Sequence, residues 1–366
     1  MEGIEVFLHI GSPKTGTSAI QAFFNANRKK LVKGHSCLYP NFNAPAFDTG
    51  MQHDHCPYLM SANPESIAKT IGKLIDVSRR KKIHKLVISC ESLFHRTEYA
   101  KIFSQSLLED SDIQCRVISY LRREDHFLES SWRQWGLKTD RDIYHYIGRQ
   151  NLEWDRYLDL WAQEFGVENV IVRVYEKQQL GNGLVDDFFR LIGIDYSSDT
   201  WNEPPKNTLN TNFGFNRDIL EIFHLNQDMY TDEDDNRLFN FFDQYLPDSF
   251  HKAPFEKYGL LSPQDRLGIL TEYSAMNEYI ARKYLKRDEG NLFFEPLPEP
   301  DEPWEPYEGL TVGKIVPIFT QVIYNMDNTF NRTGPDKQEK ARTQDSTGYL
   351  GKFKQLIKNF LREEHP

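Results

Sequence analysis

The chain has 366 residues, with 44 Lys and Arg against 54 Asp and Glu. The resulting formal charge of −10 argues against a general nucleic-acid binder, which would carry a basic surplus. At 39% hydrophobic and 13% aromatic residues there is ample material for a buried core, and the length allows about two domains or one large one with elaborations. The four cysteines, Cys37, Cys56, Cys90 and Cys115, show no CxxC spacing, so neither a disulfide scaffold nor an all-cysteine zinc site is expected, and a reducing cytoplasm fits best. No run of about 20 apolar residues and no basic-then-apolar amino-terminal pattern occurs, so neither a membrane span nor a secretory signal is expected.

Short apolar, β-rich runs predict strands over 5–10, 85–90, 116–121 and 169–175, with helical patterns between them. Near-continuous Val/Ile/Leu runs suit strands buried on both faces of a parallel sheet, with helices as crossovers, so the chain reads as α/β. The first helix starts at Thr17 with Ile20, Phe23, Phe24 and Leu31 on its apolar face, and Trp154, Leu158, Trp161 and Phe165 have core spacing on a later one. From Asn210 onward helical signals dominate. Asp232 to Asp235 read as a solvated helix start, and Ser262, Pro263 and Asp265 as a capped one. The stripe Tyr273, Met276, Ile280, Tyr284 reads as core contacts.

Residues 295–309 are acidic with five prolines, which predicts an extended connector. The last segment places Leu350, Phe353, Ile357, Phe360 and Leu361 on one helical face and Lys352, Lys354, Lys358 and Arg362 around the rest. Such a basic amphipathic helix packs on its own domain or a second subunit, or lies on an anionic membrane. Peripheral membrane contact or self-association is therefore assigned to 349–362.

The most informative stretch is HIGSPKTGTSAIQ, residues 9–21. A strand ending at Ile10, a turn with Gly11, Pro13 and Gly16, and a helix beginning at Thr17 aim backbone N–H groups and a helix amino terminus at an anion. Gly11 and Gly16 have the separation of the Walker pattern, but Thr17 stands where that pattern needs Lys, and the loop's lysine is Lys14. The strand LVISC runs into Glu91 rather than ending in a metal-holding aspartate, so metal-dependent NTP hydrolysis is disfavoured.

At Pro13-Lys14-Thr15-Gly16-Thr17-Ser18 the sequence resembles the 5′-phosphosulfate loop of the sulfotransferases that use 3′-phosphoadenosine 5′-phosphosulfate (PAPS). A second family element is an arginine after a strand with a serine eight residues later, which together grip the nucleotide's 3′-phosphate. Arg122 and Ser130 fit it, and so do Arg123 and Ser131. At about 100° per residue Ser130 points away from the Leu128, Trp132, Trp135 stripe, which favours Arg122 with Ser130.

The resemblance covers about residues 4–294 and implies a P-loop-like three-layer α/β fold with a central parallel sheet, helical insertions and a carboxyl-terminal helical extension. The expected organisation is 1–294 sulfotransferase domain, 295–310 connector and 311–366 helical extension. The implied reaction moves a sulfuryl group from PAPS to an acceptor hydroxyl or amine, leaves adenosine 3′,5′-bisphosphate and needs no metal. Ser12 to Ser18, Arg122 and Ser130 would bind the nucleotide, with Lys14 offsetting charge on the leaving oxygen.

For the acceptor's proton, Glu91 at the carboxyl end of its strand is the first candidate base and His55 the second. His53, Asp54, His55 and Cys56 lack a fourth metal ligand at familiar spacing, and His9 reads as a core residue. Asn207 and Thr208 occupy the region of a further family element, with Thr208 where Ser is usual. The acceptor class expected is a carbohydrate, glycolipid or small metabolite. The competing readings are a Mg-ATP-dependent small-molecule kinase with a divergent loop and a non-catalytic nucleotide-binding adaptor.

Overall fold

The computed structural model describes residues 3–41, 55–198, 200–204, 214–252 and 259–332. The terminal segment 349–362, His53 and Asp54, and Asn207 and Thr208 lie outside these residues. The chain divides into two compact units: 1–127 with 151–212 and 261–303, and 128–150 with 213–260 and 304–366.

The first unit is built on a five-stranded, all-parallel sheet in the order β2-β3-β1-β4-β5. Its strands are β1 (Ile4–Gly11), β2 (Cys37–Leu38), β3 (Lys85–Ser89), β4 (Ile113–Leu121) and β5 (Val170–Val174). All four expected strands form. The edge strand β2 was not expected, because two residues paired at Cys37↔Lys85 and Leu38↔Leu86 leave no periodic signature.

Helices on both faces account for the unbroken apolar runs. On one face, α1 (Thr17–His35) and α6 (Leu184–Leu191) press Phe23, Phe24, Phe188 and Phe189 against Phe7, Val87, Ile118 and Tyr120 of the sheet. The alternate residues Val6, Leu8, Val117 and Leu121 are equally buried and point the other way. That face is covered by α2 (Pro64–Lys81), α3 (Glu98–Leu107) and α5 (Trp154–Phe165). Trp154, Leu158, Trp161 and Phe165 are all buried, as their spacing predicts. Between them in sequence, α4 (Glu124–Ser131) follows β4 and runs into a π-helical turn at Trp132–Gly136.

Ser262 and Asp265 form the expected capping box, with Asp265 N–H donating to Ser262 Oγ at 3.1 Å. The core stripe holds in part: Tyr273 and Ile280 are buried, while Met276 and Tyr284 are only half-buried, because the helix breaks at Tyr273. The connector is extended, and its first residue is half-buried: Glu295 pairs with Arg123 and lies 2.9 Å from His126 Nε2.

The second unit contains a short antiparallel pair, Gly214–Phe215 with His251–Lys252, and helices Arg217–His224, Arg237–Tyr245 and Val312–Arg332. Phe215, Phe223, Phe242 and Phe319 form its aromatic core. Asp235 accepts the Arg237 N–H at 3.1 Å and pairs with the Arg237 guanidinium, so the end of the acidic run is buried rather than solvated. Among the described residues, no helix is long and apolar enough to cross a membrane.

Candidate functional site

In an open parallel sheet, ligand groups collect where strand order reverses, outside the carboxyl ends of the strands. Here β1 lies between β3 and β4, so the residues after these three strands converge: the loop after Gly11, then Glu91, then Arg122.

The register of β1 against β4 shifts between His9 and Gly11, and Ser12 N–H donates to the Tyr120 carbonyl at 3.0 Å. That anchor turns the chain out of the sheet. Gly11 (φ 91°) and Gly16 (φ 82°) both occupy the left-handed region, and neither has room for a side chain. A Cβ on Gly11 would sit 2.9 Å from Glu91 Cα, and one on Gly16 would strike Leu184 Cδ2 and lie 3.2 Å from Tyr175 Cε2.

Lys14 is held at φ 64°, and Thr15 Oγ1 donates to the Ser12 carbonyl at 2.6 Å, closing the turn. No side chain caps α1, and Thr17 Oγ1 is buried without a hydrogen-bond partner among the described residues. An uncapped helix start, a glycine turn and an orphaned hydroxyl fit an oxyanion ligand. Ser12, Pro13, Thr15 and Thr17 are buried, while Lys14, Gly16 and Ser18 are half-buried.

The two arginines after β4 have separate fates. Arg122 is half-buried, and its Nη1 donates to the Lys14 carbonyl at 3.1 Å. Arg123 is spent elsewhere: it makes a fork to Asp125 at 2.9 and 2.8 Å and donates to the Glu295 and Pro296 carbonyls. Arg266 completes that buried cluster with a 2.8 Å bond to Asp125. Arg123 is thus engaged by the protein's own groups, whereas Arg122 reaches the loop at Lys14. Ser130 and Ser131 fall in the second unit; Ser130 is buried, and Ser131 Oγ donates to the Leu128 carbonyl at 3.0 Å.

Tyr175, which the sequence reading did not single out, lies beside the loop and Arg122. It follows β5 as Arg122 follows β4, its N–H donates to the Leu121 carbonyl at 2.7 Å, and its ring lies 5.8 Å from the Arg122 guanidinium. Its place directly after a buried strand was the available signal.

Glu91 is half-buried at the start of a 3-10 turn, with its backbone against Gly11. His55 is in a different position: its Nδ1 accepts from Ser89 N–H at 3.0 Å, its Nε2 donates to the Pro40 carbonyl at 2.9 Å, and its ring stacks on Tyr39 at 4.5 Å. Both ring nitrogens are engaged, so His55 serves the framework. His9 is the core residue expected, bonded through Nδ1 to Ser89 Oγ at 2.9 Å, and burial pushes its pKa down to about 3.

The cysteine expectation is corrected. Cys56 and Cys90 form a disulfide with Cα atoms 4.8 Å apart, joining the residue after His55 to the residue before Glu91; Cys37 and Cys115 are free and buried.

Among solved structures, a sulfotransferase from Alicyclobacillus acidocaldarius is similar at 13% identity over 56% of this chain and 89% of that one, with a TM-score of 0.33. No family model and no curated protein matches the chain.

Proposed function

We propose that the chain is a sulfotransferase that moves the sulfuryl group of PAPS to a hydroxyl or amine of a carbohydrate, glycolipid or small metabolite in the cytoplasm. The observation that carries the reading is the Arg122 to Lys14 hydrogen bond, which ties a cation to the middle of an uncapped glycine turn. A donor bearing a 5′-phosphosulfate and a separate 3′-phosphate needs two anion sites in register, and this pairing supplies the start of each.

In this reading the amides of residues 15–18 and the α1 amino terminus hold the 5′-phosphosulfate. Arg122 takes the 3′-phosphate through charge-assisted hydrogen bonds. PAPS supplies an activated sulfuryl group and a stable leaving group, adenosine 3′,5′-bisphosphate. Lys14 offsets charge at the leaving oxygen, and Glu91 accepts the acceptor's proton, a contribution of about 10²–10⁴-fold for a positioned base. The chemistry calls on no metal.

Incubation with ³⁵S-labelled PAPS and a panel of glycans, glycolipids and small alcohols, with and without EDTA, tests it. Label should move to at least one class of acceptor and be indifferent to the chelator. Binding of Mg-ATP in preference to adenosine bisphosphate would support the kinase reading instead.

A further inference from the structure

We propose that Cys56 and Cys90 are a reversible dithiol–disulfide pair whose oxidised state holds the anion loop in place, an inference that rests on reading residues 11–17 as that loop. The bond lies inside the support of the loop. Cys90 N–H donates to the His9 carbonyl at 2.9 Å, and its neighbour Ser89 is bonded through Oγ to His9 Nδ1 at 2.9 Å and accepts Gln21 Nε2 at its carbonyl, 3.3 Å away. On the other side, Glu91 fills the space where a Gly11 side chain would be.

These contacts run to both flanks of the loop, because His9 and Gly11 belong to β1 and Gln21 to α1. The partner half of the bond is set by His55, which receives Ser89 N–H, with Cys56 next in sequence. A shift of the 89–91 backbone on opening the bond is therefore passed to Gly11, whose close approach leaves no slack.

Access is asymmetric. Cys56 is 9% exposed and Cys90 is 0% exposed, so an incoming thiol meets Cys56 first. The glutathione thiolate attacks Cys56 Sγ, forming a glutathione–Cys56 mixed disulfide, and the electron pair of the broken bond leaves on Cys90, which takes up a proton. A second glutathione thiolate attacks the glutathione sulfur, releasing glutathione disulfide and the Cys56 thiolate, which is protonated. Two glutathiones are thereby oxidised as one protein disulfide is reduced, and glutathione disulfide drives the reverse. Cys37 and Cys115 do not compete, since both are buried as thiols and burial pushes the Cys37 pKa up to about 12.

The full chain is equilibrated across glutathione to glutathione disulfide ratios, thiols are trapped with a maleimide and located by mass spectrometry, and amide exchange is followed at residues 9–17. Cys56 and Cys90 should titrate together while Cys37 and Cys115 stay thiols, and exchange at the loop should be at least about 5-fold slower in the oxidised protein, the low end of ordinary coupling between sites. Adenosine 3′,5′-bisphosphate should bind the oxidised form at least about 5-fold more tightly. Cys56→Ser should match the reduced wild type, and Cys90→Ser should trap glutathione on Cys56.

A pair that stays oxidised at every ratio, one that never oxidises, or equal loop exchange in both states overturns the inference. If the bisphosphate binds neither state, the sulfotransferase reading fails by itself, because thiol trapping and amide exchange do not involve the nucleotide.

Discussion

Arg122 Nη1 donates to the Lys14 carbonyl at 3.1 Å, so the arginine that follows β4 braces the loop that follows β1. Replacing it with Ala removes both that brace and the proposed cation for the 3′-phosphate. A hydrogen bond to a charged group is worth about 1.5–3 kcal/mol, so adenosine 3′,5′-bisphosphate should bind between about 10- and 100-fold more weakly to Arg122→Ala. Affinity for 5′-AMP should change far less. An equal loss for the two nucleotides, read by calorimetry, would remove Arg122 from the 3′-phosphate site.

Lys14 combines a charge with a left-handed backbone at φ 64°. A non-glycine residue in that region costs about 1–2 kcal/mol, so Lys14→Gly should keep or raise the melting temperature while Lys14→Ala leaves it little changed. Both should lose turnover far more than nucleotide affinity, as expected of a side chain that acts on charge developing during transfer. Thermal melts and single-turnover rates separate the two effects.

Gly16 is constrained twice, by φ 82° and by Leu184 and Tyr175 on its open side. Gly16→Ala should destabilise the protein by roughly 1–3 kcal/mol and abolish detectable bisphosphate binding, because the turn that aims the α1 amides cannot form. A denaturant series with calorimetry on the folded fraction checks both. Retained affinity would mean that the loop does not make the anion site.

Glu124, the first residue of α4, is fully buried, and burial pushes its carboxyl up to about 8. Asp125 adds to the rise, Asn277 and Arg123 oppose it, and Tyr273 also faces it. The folded state therefore holds a proton that the unfolded chain has released, and stability falls as pH rises towards 8. Between pH 6.5 and 8 the buried His9 is neutral when folded and contributes little slope. Over that window wild type should lose about 1–2 kcal/mol, and Glu124→Gln should be nearly flat. Parallel slopes for the two proteins, from urea midpoints across the range, would show that Glu124 ionises normally.

Much of the site was legible because its signals are local. The spacing of Gly11 and Gly16, a lysine inside the loop and apolar runs on either side are all readable along the chain, and the structure turns them into positive-φ glycines at the end of a buried strand. Helical angle alone favoured Arg122 over Arg123 in the sequence; the buried cluster that engages Arg123 was not legible, since Asp125, Arg266 and Glu295 meet from distant segments. Cys56 and Cys90 are 34 residues apart with no spacing rule to join them, and the strand and helix geometry alone brings them together. His55 was a candidate base because the family that the sequence resembles often carries a His in this region, yet its two nitrogens are taken by backbone groups that no sequence pattern reveals. The division into two units is assembled from three segments each, which defeats any reading in chain order.

The central claim, that the loop after β1 and Arg122 form a site for a nucleotide phosphorylated at both 3′ and 5′ positions, is tested most directly by isothermal calorimetry of the intact protein with adenosine 3′,5′-bisphosphate in metal-free buffer. The account predicts one saturable site that persists in EDTA, is weakened by Arg122→Ala and discriminates against 5′-AMP. Absence of binding to the folded protein, or binding that requires Mg²⁺ and prefers ATP, would contradict it.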